Sequence, residues 1–178
     1  KARQTNTSMI HSVALAVTVL EDDGRYNAGC GAHPRKNGKI EYDAAIMDSN
    51  GRFGSVAALE GFKNPIQVAE AVSETDYRML AGKGAAEFAR KCKLEPIRTQ
   101  SILGSGQDFS TSPTTDTVGC VAFDGTTFAA ALSTGGMAEA HYGRVGDVPI
   151  IGGGLYAGFD GAVAATGDGE AIMMKITA

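Results

Sequence analysis

Thr117 has the clearest chemical context in this sequence of 178 residues. It follows a segment, residues 93–116, in which Ser, Thr, Pro and Gly interrupt any periodic pattern, and it opens a β-rich run that ends at Phe123. Threonine is a common first residue of a strand, but cleavage before Thr117 would leave an N-terminus anchored in the core. The free α-amine would then act as general base for the neighbouring hydroxyl. We therefore predict a nucleophile at Thr117, released when its hydroxyl attacks the carbonyl of Asp116.

Two glycine-rich runs, from Ser133 to Gly136 and from Gly143 to Asp147, contain a second candidate group. Arg144 and Asp147 are three residues apart among glycines, so both side chains can line one loop pocket. Arginine binds a carboxylate through two parallel hydrogen bonds, and aspartate accepts hydrogen bonds from an ammonium group. The pair therefore fits the α-carboxylate and α-amine of an amino acid, while a surface ion pair is the plainer interpretation.

A third run, from Thr166 to Glu170, leads from a strand into the start of a helix. The Thr166 hydroxyl and the Gly167 N–H can together form an oxyanion hole, because both are donors at a tight turn. The same residues also fit an ordinary helix N-cap. Three glycines at 152–154 lack the Lys-Ser/Thr pair of a phosphate-binding P-loop, so we do not interpret them as a phosphate site.

The elements that position these residues follow from hydrophobic periodicity and from turn residues. Apolar residues at three- and four-residue spacing predict the first helix, and Asn64 followed by Pro65 predicts the capped start of the second. The predicted order is helix 7–20, strands 39–47 and 52–59, helices 64–73 and 82–92, a linker 93–116, strands 117–123, 126–133 and 162–166, and helix 169–176. Strands and helices segregate rather than alternate, which favours an α+β fold of packed sheets covered by helices.

The composition argues against several classes of function. The 16 Lys and Arg residues are scattered and the net charge is −4, so no basic stripe indicates a nucleic-acid partner. The longest apolar stretch, residues 12–20, is too short to span a membrane. Cys30, Cys92 and Cys120 have no metal-binding spacing, so we expect no metal site. Their odd number predicts a reducing, cytoplasmic location.

Taken together, these runs resemble the asparaginase 2 family, which contains plant-type L-asparaginases with isoaspartyl aminopeptidase activity, glycosylasparaginases and threonine aspartases. Four ordered runs carry the resemblance in the second half: Asp116 to Gly119, Ser133 to Met137, Gly143 to Gly152 and Ala165 to Glu170. Runs in the first half resemble the α-subunit of that family: Leu20 to Asp23, Tyr26 to Gly31, Tyr42 to Asp48 and Gly54 to Ala58. The resemblance covers nearly the whole chain outside the linker.

The resemblance implies a four-layer αββα sandwich, the fold of N-terminal nucleophile hydrolases, in one structural domain. It also implies self-cleavage into an α-subunit-like part, residues 1–116, and a β-subunit-like part, residues 117–178, with two such αβ pairs forming a dimer. By motif match, the functional residues are Asp116 and Thr117 at the cleaved bond, Thr134 as the second threonine, Arg144 and Asp147 as ligands of the substrate's α-carboxylate and α-amine, Thr166 and Gly167 in the oxyanion hole of the substrate pocket, and Asn27 in the neighbouring α-subunit turn.

The resemblance implies hydrolysis of the side-chain amide of L-asparagine and of β-aspartyl peptides through a threonine acyl-enzyme. Asp116 before Thr117 also matches glycosylasparaginases, which act on glycosylated asparagine. An alternative of another class is a non-catalytic fragment that keeps the fold as a binding module. The resemblance implies no organic cofactor. The loop before Asn27 resembles a sodium-binding loop of plant-type members, so a structural sodium ion is an open alternative. The family's opening His-Gly-Gly-Ala strand and most of its helical region after Ile176 are not found, so we expect a fold truncated at both ends.

Overall fold

A computed structural model of the protein describes residues 8–97 and 116–178. The α-helices in these ranges are α1 (Met9–Asp23), α2 (Pro65–Ser73), α3 (Gly82–Lys91) and α4 (Gly169–Lys175), and a short 3-10 helix spans Gly29–Gly31. The strands are β1 (Tyr42–Asp48), β2 (Phe53–Leu59), β3 (Met79–Ala81), β4 (Val118–Phe123), β5 (Phe128–Thr134), β6 (Leu155–Gly158) and β7 (Gly161–Ala164). Within the same two ranges, no helix is long and apolar enough to cross a membrane.

Strands β1 and β5 form the centre of a five-stranded sheet with the order β3-β2-β1-β5-β4. Neighbouring strands are antiparallel, except that β3 runs parallel to β2. The hairpin between β4 and β5 turns at Asp124, whose carboxylate accepts hydrogen bonds from the N–H groups of Thr126 and Thr127. The pairing of β1 with β5 joins the part of the chain before the predicted linker to the part after it.

Different layers cover the two faces of this sheet, because side chains alternate along each strand. On one face, α1, α2 and α3 pack over a buried cluster that includes Ala44, Ile46, Ala129 and Ala131. On the other face, the two-stranded sheet β6–β7 packs over a smaller cluster, formed by Ala45, Phe53, Ala130, Leu155 and Ala157. The layers are therefore helices, sheet and second sheet, and α4 lies beside the loop that precedes β6.

The start of α2 combines a local signal with a long-range contact. Pro65 occupies the first turn, where its missing N–H is not needed. The side chain of Asn64 precedes it but makes no capping hydrogen bond. The buried Glu21 carboxylate of α1 instead accepts a hydrogen bond from Ile66 N–H at 3.0 Å. A residue of another helix therefore provides the side-chain cap that the sequence pattern predicts at Asn64.

The predicted α+β fold is confirmed, and the predicted helices and long strands correspond to observed ones with shifted ends. Strands β3, of three residues, and β6, of four residues, are not among the predicted strands. The strand predicted over 117–123 begins at Val118, so Thr117 stands just before it. Residues 98–115 of the predicted linker lie outside the described residues.

Candidate active site

Thr117 and Thr134 lie side by side at the ends of neighbouring strands. Thr117 precedes β4, Thr134 ends β5, and the register pairs Val118 with Ser133. The Thr117 hydroxyl donates a hydrogen bond to Thr134 Oγ1 at 3.1 Å, and the same oxygen accepts one from Gly136 N–H at 2.9 Å. Thr134 is buried and Thr117 is half-buried. Antiparallel pairing therefore brings the two predicted threonines into direct contact.

Asp116 contributes its carbonyl and its carboxylate to the surroundings of the bond that we predict to break. The carbonyl oxygen accepts a hydrogen bond from Asn27 N–H at 3.1 Å. The carboxylate accepts hydrogen bonds from Thr117 N–H at 2.9 Å and from the Thr166 hydroxyl at 2.5 Å. The fold thus gathers four of the predicted residues around the Asp116–Thr117 bond, with a backbone donor on its carbonyl oxygen.

Asn27 fastens the turn after α1 to the end of β5. Its side-chain amide donates to the Gly136 carbonyl at 2.6 Å, and its Oδ1 accepts a hydrogen bond from His33 N–H at 3.0 Å. Its carbonyl accepts a hydrogen bond from Gly135 N–H at 2.8 Å. A Cβ at Gly135 would lie 2.5 Å from Asn27 Oδ1, so a larger residue would push the two segments apart. These contacts fix the position of the Asn27 backbone N–H, which donates to the carbonyl of Asp116.

Arg144 forms a two-point ion pair with Glu170 in the first turn of α4. Its Nε donates to one carboxylate oxygen at 3.0 Å and its Nη2 to the other at 2.8 Å. Asp147 lies close by and is buried, and this burial raises the pKa of its carboxyl above the usual value, while Arg144 acts in the opposite direction. A Cβ at Gly169 would lie 2.7 Å from Asp147 Oδ1 and 2.9 Å from Arg144 Nη2. The two predicted recognition side chains therefore converge on the same glycine.

A cavity of about 720 Å³ opens in front of these groups, a size that suits a small-molecule site. Seven of the predicted site residues line it: Asn27, Asp116, Thr117, Thr134, Arg144, Asp147 and Gly167. The eighth, Thr166, lines an adjoining, mainly apolar cavity of about 410 Å³, whose wall also contains Thr117. Thr117 therefore stands between the two cavities.

Thr166 and Gly167 form the turn between β7 and α4. Gly167 has φ +145°, a conformation that residues with a side chain rarely adopt. Asp168 is the N-cap of α4 and accepts a hydrogen bond from Ala171 N–H at 3.0 Å. Because Asp168 caps the helix, the N-cap interpretation does not apply to Thr166, whose hydroxyl binds the carboxylate of Asp116.

Glu170 and Met137 are among the residues of the cavity wall that received no role from the sequence. Glu170 belongs to a run that the sequence singled out, but its partner Arg144 is 26 residues away. Met137 follows the glycines after Thr134 and is exposed. Sequence spacing signals none of these contacts, since each depends on how the loops meet.

The three cysteines are unpaired, and one of them, Cys120, lines the smaller cavity beside Thr117. Cys30, Cys92 and Cys120 are free, and burial raises the pKa of the Cys30 and Cys120 thiols. Within the two described ranges, no group of three or more His, Cys, Asp or Glu side chains could hold a metal ion. A sodium ion bound near Asn27 stays a prediction.

Comparison with known proteins gives a consistent family match. The Asparaginase 2 family model, described as asparaginase, matches residues 1–106 and 98–178. A plant-type L-asparaginase of Pyrococcus horikoshii is 39% identical over 92% of this chain, and a human isoaspartyl peptidase/L-asparaginase is 40% identical over 93%. An N(4)-(β-N-acetylglucosaminyl)-L-asparaginase of Elizabethkingia miricola is 39% identical over 94% of this chain.

The matched region is shorter than these relatives. The chain spans 62% of the length of the Pyrococcus relative, 60% of the human one and 54% of the Elizabethkingia one. The similarity to all three extends over more than nine tenths of this chain, so both the part before the predicted linker and the part after it are included.

Proposed function

The chain belongs to the asparaginase 2 family, and from this premise we propose that it cleaves itself before Thr117 and then hydrolyses side-chain amides of asparagine-like substrates. The observation that carries the proposal is the contact between the Thr117 and Thr134 hydroxyls beside the Asp116 carbonyl. The proposal is supported by the Thr117 hydroxyl, by its acceptor Thr134 Oγ1 and by the Asn27 N–H, which donates to the Asp116 carbonyl. The substrates that fit best are L-asparagine and short β-aspartyl peptides.

Self-cleavage begins with attack of Thr117 Oγ1 on the carbonyl carbon of Asp116. The hydroxyl proton is passed toward Thr134 Oγ1, its hydrogen-bond acceptor, and the Asn27 N–H stabilises the charge that develops on the carbonyl oxygen. The C–N bond then breaks as the nitrogen takes up this proton, which frees the Thr117 α-amine and leaves an ester between Asp116 and Thr117 Oγ1. Water hydrolyses this ester and yields the Asp116 carboxylic acid and the free Thr117 hydroxyl.

Amide hydrolysis reuses the same hydroxyl with the new α-amine as its base. Thr117 attacks the side-chain carbonyl of the substrate, ammonia or an amine leaves, and water opens the acyl-enzyme. The Thr166 hydroxyl and the Gly167 N–H serve as the oxyanion hole. Before cleavage the Thr166 hydroxyl is bound to Asp116, so release of the new C-terminus at Asp116 also releases this donor for the substrate. Maturation and oxyanion stabilisation are therefore coupled.

Recognition of the amino-acid part of the substrate falls to Arg144 and Asp147. The Arg144 guanidinium carries five N–H donors, more than the Glu170 carboxylate accepts, so it can also bind the α-carboxylate of a substrate. Asp147 accepts hydrogen bonds from the α-ammonium group when it is ionised. Both side chains line the cavity in front of Thr117, which directs the substrate's side-chain amide toward the nucleophile.

The proposal is tested by the mass of the purified protein after incubation at neutral pH. Wild type is expected to convert to two fragments, the second of which begins with Thr117, while Thr117→Ala stays whole. Ammonia release from L-asparagine and amine release from a β-aspartyl dipeptide should appear together with the cleaved form. An intact wild type, or cleavage at another bond, contradicts the proposal, and a cleaved but inactive protein supports the non-catalytic alternative.

Hydrolysis of glycosylated asparagine is the second candidate activity. The Asp116–Thr117 junction and the 39% identity to an N(4)-(β-N-acetylglucosaminyl)-L-asparaginase favour it. Parallel assays with N-acetylglucosaminyl-asparagine and with a β-aspartyl dipeptide, at equal concentrations of cleaved protein, distinguish the two. The substrate with the higher kcat/KM identifies the activity.

The two fragments are proposed to remain together as an αβ pair, and two pairs are proposed to associate. Strand β1 belongs to residues 1–116 and β5 to residues 117–178, yet they pair along six residues at the centre of one sheet. Separating them would expose the central core of the fold. Size-exclusion chromatography of the cleaved protein should therefore elute both fragments in one peak, and its mass by light scattering reports whether two pairs associate.

A further inference from the structure

A completely buried ion pair lies against the main chain of Arg144, on the side of the cavity that Arg144 and Asp147 line. The Arg35 side chain is 0% exposed and that of Glu41 is 2% exposed, with Arg35 Nε 3.2 Å from Glu41 Oε2. Neither residue lines the cavity in front of Thr117. Taking both charges out of water is costly, so the presence of such a pair does not by itself indicate that it stabilises the fold.

Three further side-chain hydrogen bonds of this pair go to one segment, residues 134–147, which we call the substrate loop. Arg35 Nη1 donates to the Met137 carbonyl at 3.3 Å, and Arg35 Nη2 donates to the Arg144 carbonyl at 3.2 Å. Glu41 Oε2 accepts a hydrogen bond from Gly143 N–H at 2.8 Å. The pair therefore holds the backbone of the loop on both sides of its middle.

The backbone of the loop is closely fitted to the guanidinium. Gly136 has φ +74°, and a Cβ there would lie 2.5 Å from Arg35 Nη1. The segment around Arg35 also bonds the loop through its main chain, because Glu139 N–H donates to the Pro34 carbonyl and Lys36 N–H donates to the Ala140 carbonyl. Arg35 therefore contacts the loop through its side chain, and the residues just before and after it contact the loop through their main chains.

We propose that the buried Arg35–Glu41 pair is a positioning device that places Arg144 for substrate recognition. This inference rests on the proposed function. The main chain of Arg144 is bound from below by Arg35, while its side chain reaches Glu170 at the rim of the cavity. A planar guanidinium can serve Glu41 and two carbonyls at fixed angles, which an ammonium group does not.

Arg35→Lys keeps the charge but loses the planar fork, so it tests positioning directly. A displacement of a binding group by about 1 Å can cost up to about a hundredfold in efficiency. We expect KM for L-asparagine to rise about ten- to a hundredfold with kcat changed by less than about threefold, because the loss concerns substrate binding. Self-cleavage should proceed at the wild-type rate, since the peptide at Thr117 presents no α-carboxylate.

Lys39→Met is the matched control, because Lys39 also supports the substrate loop but from its exposed side. Lys39 Nζ lies 3.3 Å from Glu60 Oε2, and the other oxygen of Glu60 accepts a hydrogen bond from the Tyr142 hydroxyl. The Lys39 side chain is 54% exposed, so water can replace its contacts. We expect an unchanged KM, and a rise equal to that of Arg35→Lys would overturn the assignment to the buried pair.

A double variant, Arg35→Met with Glu41→Met, separates positioning from stability. Arg35→Met alone leaves a buried unpaired carboxylate and is expected to lower the melting temperature, and the second substitution should restore most of that loss. The KM of the double variant should nevertheless stay raised, since no donor remains for the carbonyls of Met137 and Arg144. Recovery of both melting temperature and KM would show that Arg35 only neutralises Glu41.

Amide hydrogen exchange of peptides from residues 136–146 provides a measurement that does not require activity. In Arg35→Lys these peptides should exchange faster, while peptides from β4 and β5 keep their protection. Unchanged exchange across 136–146 would overturn the inference. If wild type neither cleaves itself nor hydrolyses any substrate, while Arg35→Lys still shows the faster exchange, the proposed function is refuted and the anchoring of the loop is still supported.

Discussion

The proposed nucleophile side of the cavity, at Thr117 and Thr134, and the proposed recognition side, at Arg144 and Asp147, are built in different ways. On the nucleophile side, Thr117 and Thr134 meet because they stand at the paired ends of β4 and β5. On the recognition side, Arg144 and Asp147 stand on an irregular loop that follows β5. The first pair is placed by main-chain hydrogen bonds of a sheet, whereas the second depends on side chains that reach the loop from elsewhere.

Because of this difference, the two sides should respond differently to the loss of a side chain. A strand register is specified by a whole ladder of bonds, so the loss of one side chain changes chemistry but leaves position intact. A glycine-rich loop has no ladder, and its position changes when one buried contact is lost. We therefore expect substitutions on the nucleophile side to reduce kcat or cleavage, and substitutions under the recognition side to raise KM.

The largest effect is expected from Thr134→Val, which removes the hydroxyl but keeps the β-branched shape. Thr117 Oγ1 and Gly136 N–H both lose their acceptor, so the nucleophile loses its partner for proton transfer. We expect self-cleavage and hydrolysis to slow by about 10²- to 10⁴-fold, with KM nearly unchanged. Fragment formation followed by mass spectrometry measures this, and wild-type rates of cleavage would place Thr134 outside the reaction.

Glu21 of α1 contacts the end of β5 from the helical face of the sheet, next to Thr134. It is buried, its Oε1 accepts hydrogen bonds from Ser133 Oγ and Ile66 N–H, and its Oε2 has no partner among the described residues. Burial raises the pKa of this carboxyl from 4.5 to about 7, with the negative charge of Asp22 adding to the effect. Folding therefore favours the protonated form.

The pH dependence of stability follows from this shift. The folded protein holds the Glu21 proton between pH 4.5 and about 7 while the unfolded chain releases it, so this group's stabilising contribution is complete below pH 4.5 and lost as pH rises through 7. The loss is about 3 kcal/mol. Urea denaturation at pH 5 and pH 8 measures the free energy of unfolding. Between these pH values, wild type should lose about 3 kcal/mol more of it than Glu21→Gln does. If the free energy of unfolding changes equally with pH in both proteins, Glu21 is not protonated in the folded state as assigned.

On the recognition side, Arg144→Lys keeps the charge but loses the two-point geometry. A charge-assisted hydrogen bond is worth roughly 1.5–3 kcal/mol. We therefore expect kcat/KM for L-asparagine to fall about ten- to a hundredfold, while self-cleavage is spared. Arg90→Lys on the exposed side of α3 is the control and should behave as wild type. If Arg144→Lys instead blocks cleavage, Arg144 has a structural role and the amino-acid pocket lies elsewhere.

Asp147→Asn is expected to have the smallest effect, about tenfold in KM, because the amide oxygen still accepts a hydrogen bond from the ammonium group. Burial raises the pKa of the Asp147 carboxyl, so wild-type KM should rise on acidification at a higher pH than an exposed aspartate would produce. In Asp147→Asn this rise should be absent. KM measured from pH 4 to pH 8 checks this, and identical profiles would remove Asp147 from ammonium binding.

Much of the candidate site could be predicted because its residues occur in short runs with recognisable chemistry. The glycines around Thr134 and Arg144, and the break before Thr117, are visible without any structure. Asn27 needed the family resemblance, since nothing local indicates that its N–H meets the carbonyl of Asp116. The buried pair of Arg35 and Glu41 had no signal, because an arginine and a glutamate six residues apart are ordinary in any surface loop.

The sequence by itself determined the kinds of element, their order and the chemical types gathered at each glycine-rich run. These follow from interactions between residues a few positions apart, such as apolar periodicity and the turn before β5. Only the tertiary structure decided which groups meet: Thr117 with Thr134, Arg144 with Glu170, and Arg35 with the carbonyls 102 and 109 residues away. Such contacts depend on the path of the whole chain. The packing of the two sheets and the helices selects that path, and local patterns do not encode it.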